Sequence, residues 1–238
     1  MKQGHLHPIT AAISRINAIF TNLGFEFAEG PLIDSEFYNF DALNVPKDHP
    51  ARDMHDTFWV KGREETVLRT HTSTVQVRYM EDHKPPMRII TAGRVFRNEA
   101  TDATHEAQFY QVEGMYIDEN VSLAHLKGVL EHFFSDFYGR DITVRFRPGY
   151  FPFVEPGVEV DMLLKKKDGS KQWVEVFGAG MIHPNVLKAG GIDPDKYNGF
   201  AFGGGVERLI MIGAEVDDVR HFHTGDLRFI QQFNSSKM

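Results

Sequence analysis

Two arginines and a group of carboxylates stand at spacings that give them common faces. Residues two apart in a strand point the same way. Arg97 therefore shares a face with Glu99, and Phe109 shares one with Gln111 and Glu113. The turn between these runs, Ala100 to Gln108, carries Asp102 and His105. Charged side chains are almost never buried without partners, so two such strands side by side line a wet cleft. A guanidinium fork suits charge on a phosphoryl oxygen, and a carboxylate can accept from an amine. Much later, Gly203-Gly204-Gly205-Val206-Glu207-Arg208 reads as a strand entering a helix through glycines. There backbone and ligand can approach closely, with Arg208 in the first helical turn. A dinucleotide fingerprint would need a third glycine where Arg208 stands, and no Gly-Lys-Ser/Thr exists for a P-loop. Taken alone, the glycine run is equally a strand–helix turn with a surface arginine. Each charged pair is equally a solvated sheet face.

Three other stretches bear on the same question. Arg69-Thr70-His71-Thr72-Ser73 is a dense polar run, and Phe151-Pro152-Phe153 puts two rings on one side of a strand, which core packing would also explain. Glu175 is a strand glutamate in Trp173-Val174-Glu175-Val176-Phe177-Gly178, by itself equally a surface residue. His105-Glu106-Ala107-Gln108-Phe109 lacks the second histidine of a His-Glu-x-x-His zinc site. No nucleophile elbow or catalytic dyad occurs.

The elements that must position these residues follow from periodicity. Ile9, Ala12, Ile13, Ile16, Phe20 and Leu23 recur at helical spacing over 8–23, with Pro8 in the first turn and Gly24 at the C-terminal cap. A strand through Phe25-Glu26-Phe27 follows, then Gly30-Pro31. Residues 44–58 read as an irregular polar loop, and a second helix starts near Thr72 or Ser73. Strands are predicted at 87–97, 109–117, 142–147, 158–164 and 172–177. A helix over 123–138 is capped by Ser122 and presents Leu123, Leu126, Leu130, Phe133, Phe134 and Phe137 on one face. Helices near 205–213 and 226–233 close the chain. Successive strands joined by short turns, with helices gathered outside, predict an α+β fold built on an antiparallel sheet flanked by helices. No Pro/Gly/Ser-rich linker divides the chain, so 1–238 reads as a single domain.

Composition sets outer bounds. At 238 residues and 42% hydrophobic, the chain can bury a full core. Its net charge of −7 places most of any RNA-binding surface elsewhere, on a partner or another segment. Zero cysteines exclude disulfides and thiolate metal sites and fit a reducing compartment. No apolar run reaches membrane-spanning length and the N-terminus is not a signal peptide. A soluble cytoplasmic protein is the expectation.

Together these segments resemble the three motifs of class II aminoacyl-tRNA synthetases: motif one over about 7–31, motif two over about 93–114 and motif three over about 199–212. The text Gly93-Arg94-Val95-Phe96-Arg97-Asn98-Glu99 through Phe109-Tyr110-Gln111-Val112-Glu113-Gly114 narrows the likeness to the bacterial-type phenylalanyl-tRNA synthetase α subunit. The resemblance runs from about His7 to Phe233. It implies ATP and Mg²⁺ as reactants, with Arg97 and Arg208 the catalytic pair. Arg97 would meet the α-phosphate and the attacking carboxylate, and Arg208 the γ-phosphate. Glu99 would accept from the adenine amino group, Phe109 would stack on adenine, His105 would approach the phosphates, and Gly205 would let the nucleotide close on the backbone. It further implies His71 and Ser73 near the substrate carboxylate and amine, with Gln111 and Glu113 completing an ammonium site. Phe151 and Phe153 would meet the substrate ring, with Val154 and Ala201 closing its far end. Glu175 would help hold Mg²⁺.

The sequence departs from the family pattern in places. Leu32-Ile33-Asp34 replaces a more acidic run, Thr74 stands where proline is frequent, and His55 takes a position where tryptophan occurs in some members. Family members carry an N-terminal coiled-coil arm toward tRNA, and this sequence begins almost at motif one. The implied activity is phenylalanine activation with ATP and transfer to tRNA, in a heterotetramer with a larger β subunit. Two other readings remain open: a non-catalytic paralogue serving as a binding or regulatory module, and an amino-acid activator with a non-tRNA acceptor.

Overall fold

A computed structural model describes residues 4, 6–48, 57–165 and 169–233. Helix α1 (Pro8–Asn22) opens the chain with Pro8 at its start and the His7 side chain accepting from the Ile9 amide. Then come β1 (Glu26–Phe27), β2 (Ile33–Ser35), α2 (Glu36–Asn39) and β3 (Thr66–Leu68). Helix α3 (Thr74–Asp82) precedes the long pair β4 (Met87–Phe96) and β5 (Gln108–Asp118). Helix α4 (Leu123–Tyr138) leads to the meander β6 (Val144–Phe151), β7 (Val154–Lys165) and β8 (Lys171–Ile182). Helix α5 (Pro184–Ala189), strand β9 (Asn198–Gly205), helix α6 (Val206–Ala214), a 3₁₀ turn at Val219–Phe222 and helix α7 (Leu227–Ile230) finish it.

Seven strands form one sheet in the order β1-β4-β5-β9-β8-β7-β6. All neighbours are antiparallel except β1 and β4, which run parallel. The α+β expectation holds. A separate two-stranded sheet pairs β2 with β3 and was not foreseen.

The sheet's two faces have different fates. Alternation sends Val112, Phe177, Phe200 and Phe202 to one face, where α1, α4 and α6 pack over them. Phe20, Phe133 and Phe134 meet these rings in a dry aromatic layer, with Phe20 and Phe202 centroids 5.4 Å apart. The other face carries Ile89, Met115, Val154 and Ala201 and is covered by α2, α3 and α5 only in part. The cleft opens on its remainder.

Three strands prove longer than periodicity predicted, because Pro148, Gly149, Gly157, Gly178 and Gly180 lie inside them and read as breaks. Pro148 is tolerated because β6 is the sheet's edge. The predicted helix over 226–233 shortens to α7, and α5 was missed. Of the irregular loop 44–58, residues 49–56 lie outside the described residues, His55 among them.

Candidate functional site

The strand alternation delivers what it predicts. In β5 the side chains of Phe109, Gln111 and Glu113 line cavities on the open face, while Val112 between them is fully buried on the other. Beyond the end of β4, the Arg97 amide donates to Ala107 O at 3.0 Å, continuing the hairpin and carrying Arg97 and Glu99 onto the same side. Two cavities result, and Arg97 lines both.

The larger cavity, about 400 Å³, takes in His71, Ser73, Gln111, Glu113, Phe151, Phe153, Val154 and Ala201, every residue expected around the amino acid. Its polar end is a closed network. Glu113 is 4% exposed and accepts from Ser73 Oγ at 2.7 Å, Thr72 Oγ1 at 3.1 Å and Gln76 Nε2. Burial pushes its carboxyl up to about 6, against those hydrogen bonds and the Arg69 charge, which pull the other way. The Thr72 amide donates to Gln111 Oε1 at 3.2 Å, fixing that amide's orientation and leaving its NH₂ as the group with donors to spare.

The loop carrying His71 is held from below. Buried Asn39 brackets Thr70, donating to Oγ1 at 3.0 Å and accepting from its amide at 3.1 Å. Arg69 runs beneath, donating to Arg94 O and Gly30 O. It passes so close to β4 that a Cβ on Gly93 would stand 2.2 Å from its Nη2. A side chain there would have to push the Arg69 guanidinium aside.

The apolar end is built by the β6–β7 hairpin. Phe151 ends β6 and Phe153 lies in the turn before β7, so the rings are not on one side of a single strand as predicted. They nonetheless stack, with centroids 5.9 Å apart and planes at 29°. The Phe151 ring lies on Gly178 of β8, whose missing Cβ would sit 2.8 Å from it. Val154 and Ala201 close the floor, both nearly inaccessible.

The smaller cavity, about 190 Å³, is lined by Arg97, Glu99, His105, Phe109, Gly205 and Arg208, the residues expected around ATP. Arg97 Nε donates to Thr70 O at 3.2 Å, and its guanidinium lies 5.1 Å from the centre of the Phe109 ring. Burial lowers the Arg97 pKa, against the opposing pull of Glu99. Arg208 and His105 are exposed. Asp102 orients His105, its Oδ2 lying 2.9 Å from Nδ1. Hydrogen bonds, first from the Thr104 amide and then from His105, hold the Asp102 carboxyl below the usual range.

Glu175 lines neither cavity. It is exposed and pairs with Arg147 Nη2 at 3.3 Å, beside the ion pairs of Arg147 with Glu159 and Asp161. Among the described residues no cluster of three His, Cys, Asp or Glu side chains could hold a metal ion. A hard cation would therefore find no preformed carboxylate cage among the described residues.

Sequence reasoning passed over Gln76, Thr72, Tyr150 and the buried Glu207 as site residues. Gln76 had a signal: it lies three residues beyond Ser73 at the start of α3, one helical turn on the same face.

Comparison with known proteins identifies the family. The family model described as tRNA synthetases class II core domain (F) matches residues 1–233. The phenylalanine–tRNA ligase alpha subunit of Xylella fastidiosa (strain 9a5c) is 54% identical over 234 residues, covering 98% of this chain and 69% of that protein. The protein of the same name from Stenotrophomonas maltophilia (strain R551-3) is 56% identical over 229 residues, covering 96% and 68%. That of Xanthomonas euvesicatoria pv. vesicatoria is 54% identical over 233 residues, covering 98% and 69%. With nearly its whole length matched by the family model and more than half its residues identical to these relatives, the chain belongs to the class II tRNA synthetase core family, among the phenylalanine–tRNA ligase alpha subunits.

Proposed function

We propose that the larger cavity binds phenylalanine, the smaller one ATP, and that the reaction takes place at Arg97 between them. The activity is that of an ATP-dependent phenylalanine–tRNA ligase. The phenylalanine carboxylate attacks the α-phosphorus of ATP, a new C–O–P bond forms, and pyrophosphate leaves, giving phenylalanyl-adenylate. A terminal ribose hydroxyl of tRNA then attacks the acyl carbon and AMP departs. The substrate supplies the nucleophile, so the protein's work is positioning and charge stabilisation. Arg97 faces both the carboxylate and the α-phosphate, Arg208 takes the outer phosphates, Phe109 stacks on adenine with its uncovered face, and Glu99 accepts from the adenine amine. Magnesium, when it arrives with ATP, neutralises phosphate charge.

Glu113 receives the substrate ammonium, and Gln111 with His71 takes the carboxylate side. The floor of Val154 and Ala201 offers no partner to a tyrosine hydroxyl, which would be buried unsatisfied. The relatives' name, alpha subunit, points to a second kind of subunit, and we place the chain in an α₂β₂ assembly with tRNA as acceptor. No helix among the described residues is long and apolar enough to cross a membrane. We take the cytoplasm as the site of action.

The single observation that carries this reading is Arg97 as the common wall of a cavity with an aromatic end at Phe151 and Phe153 and a second one that holds Phe109 and Arg208. The experiment is ATP–pyrophosphate exchange, scanning all twenty amino acids. Exchange with phenylalanine alone is the expected result, and preference for another amino acid overturns the pocket assignment.

A further inference from the structure

Glu207 is among the most deeply buried charged residues in the chain, 2% exposed, yet it lines the small cavity beside Arg208. Both its oxygens accept from one amide, that of Tyr110 in β5, at 2.9 and 3.0 Å. Tyr110 sits between Phe109, which lines the small cavity, and Gln111, which lines the large one. A buried carboxylate sharing one N–H is costly without a counter-charge. The side chain that approaches it is His223, whose Nε2 is buried with no hydrogen bond of its own and lies 3.4 Å from Glu207 Oε1.

His223 is held in place by its surroundings. It caps the 3₁₀ turn Val219–Phe222, its amide donating to Arg220 O. The Val219 amide donates to Ala103 O at 2.9 Å, and Val219 itself lines the small cavity, so this turn docks against the Ala100–Gln108 loop. On the other side His7 closes the cluster. Its Nδ1 accepts from the Ile9 amide, so Nε2 carries the proton and donates to Phe222 O at 3.1 Å. Burial lowers the His7 pKa, and the His223 charge acts in the same direction. His7 thus spends both ring nitrogens on Ile9 and Phe222, and His223 is the histidine whose Nε2 lies within reach of Glu207.

We propose that His223 is a positioning residue for nucleotide binding: by engaging Glu207 it clasps the first turn of α6 to β5 and sets the separation of Arg208 from Phe109. This rests on the nucleotide reading of the small cavity. His223 touches no substrate; it acts through Glu207 and the Tyr110 amide.

The test uses the full enzyme with its second subunit, in ATP–pyrophosphate exchange. Wild-type exchange with phenylalanine establishes the nucleotide reading, and its absence would defeat that reading rather than this one. His223→Phe keeps the ring volume and removes the N–H. It should raise the KM for ATP about tenfold while the KM for phenylalanine stays within about twofold. His223→Gln restores a donor and should recover most of the ATP affinity. In a double-mutant cycle, adding Glu207→Gln to His223→Phe should cost less than the two separate losses combined. An ATP KM within about twofold of wild type in His223→Phe overturns the proposal. So does a parallel rise in both KM values, which marks general structural damage, or a His223→Gln enzyme as impaired as His223→Phe. Should His223→Phe fail to fold, His223→Leu takes its place in the same measurements and the same cycle with Glu207→Gln, an ATP KM within about twofold of wild type again overturning the proposal.

Discussion

The two cavities that share Arg97 are built on opposite plans. The cavity we assign to the amino acid is tied together from within: Glu113, Ser73, His71 and Gln76 are buried, and Ser73 and Gln76 both donate to Glu113. Its apolar end rests on strand backbone through Gly178 and on Ala201 in the middle of β9. The cavity we assign to the nucleotide is half loop. Arg208 and His105 stand exposed, and the Ala100–Gln108 turn is held chiefly by Asp102 and by the Val219–Ala103 bond. A small apolar substrate discriminated by shape needs a rigid mould. A large, highly charged one is recognised by long arginines that can follow it, and loops supply that freedom. Selectivity and charge handling therefore reside in different parts of one sheet.

Substitutions can break this contrast or sharpen it. Arg97→Ala strikes both cavities and should lower kcat/KM for pyrophosphate exchange by about 10³-fold, with both substrates weakened. A loss confined to ATP would assign Arg97 to one cavity only. Glu113→Gln should act on one side alone, raising the KM for phenylalanine by roughly tenfold to a hundredfold while that for ATP barely moves, since a hydrogen bond to a charged group is at stake. Equal effects on both substrates would mean that the network supports the whole cleft rather than the ammonium.

Acidity offers a milder probe of the same group. Burial holds the free Glu113 carboxyl at about 6, and a bound ammonium favours its ionised form. Phenylalanine binding must then weaken as pH falls through about 6, its KM rising by up to about tenfold per unit, and level off above. A flat phenylalanine KM between pH 5 and 7, about the range spanned by that titration, would remove Glu113 from the ammonium site. The smallest effect concerns the mould itself. Ala201→Gly should lengthen the pocket by one methyl and admit p-chlorophenylalanine, with exchange rising about tenfold for that analogue and changing little for phenylalanine. No rise would show that the far wall lies elsewhere.

How much of this was legible beforehand differs between the two cavities as well. Alternation alone placed Phe109, Gln111 and Glu113 on one face, and a glycine run entering a helix placed Arg208, because both are patterns within a single element. The Glu113 network was not legible: Thr72, Ser73 and Gln76 meet it across some forty residues of sequence, joined only by the fold. The Phe151–Phe153 stack was foreseen as a pair of rings but misplaced. Pro152 reads the same in a strand or at the tip of a hairpin, and only the β6–β7 register decides which. Glu175 stands beside Arg147 of another strand, a pairing no pattern within one strand reveals.

A single guanidinium serving two cavities has a thermodynamic consequence. Two anions that share Arg97 cannot bind independently: whichever enters first alters the field met by the second. Linkage then requires that the factor by which bound ATP changes phenylalanine affinity equal the factor by which phenylalanine changes ATP affinity. Removing the Arg97 charge should drive both factors toward one together, so the enzyme's substrate cooperativity is written into the position of one side chain.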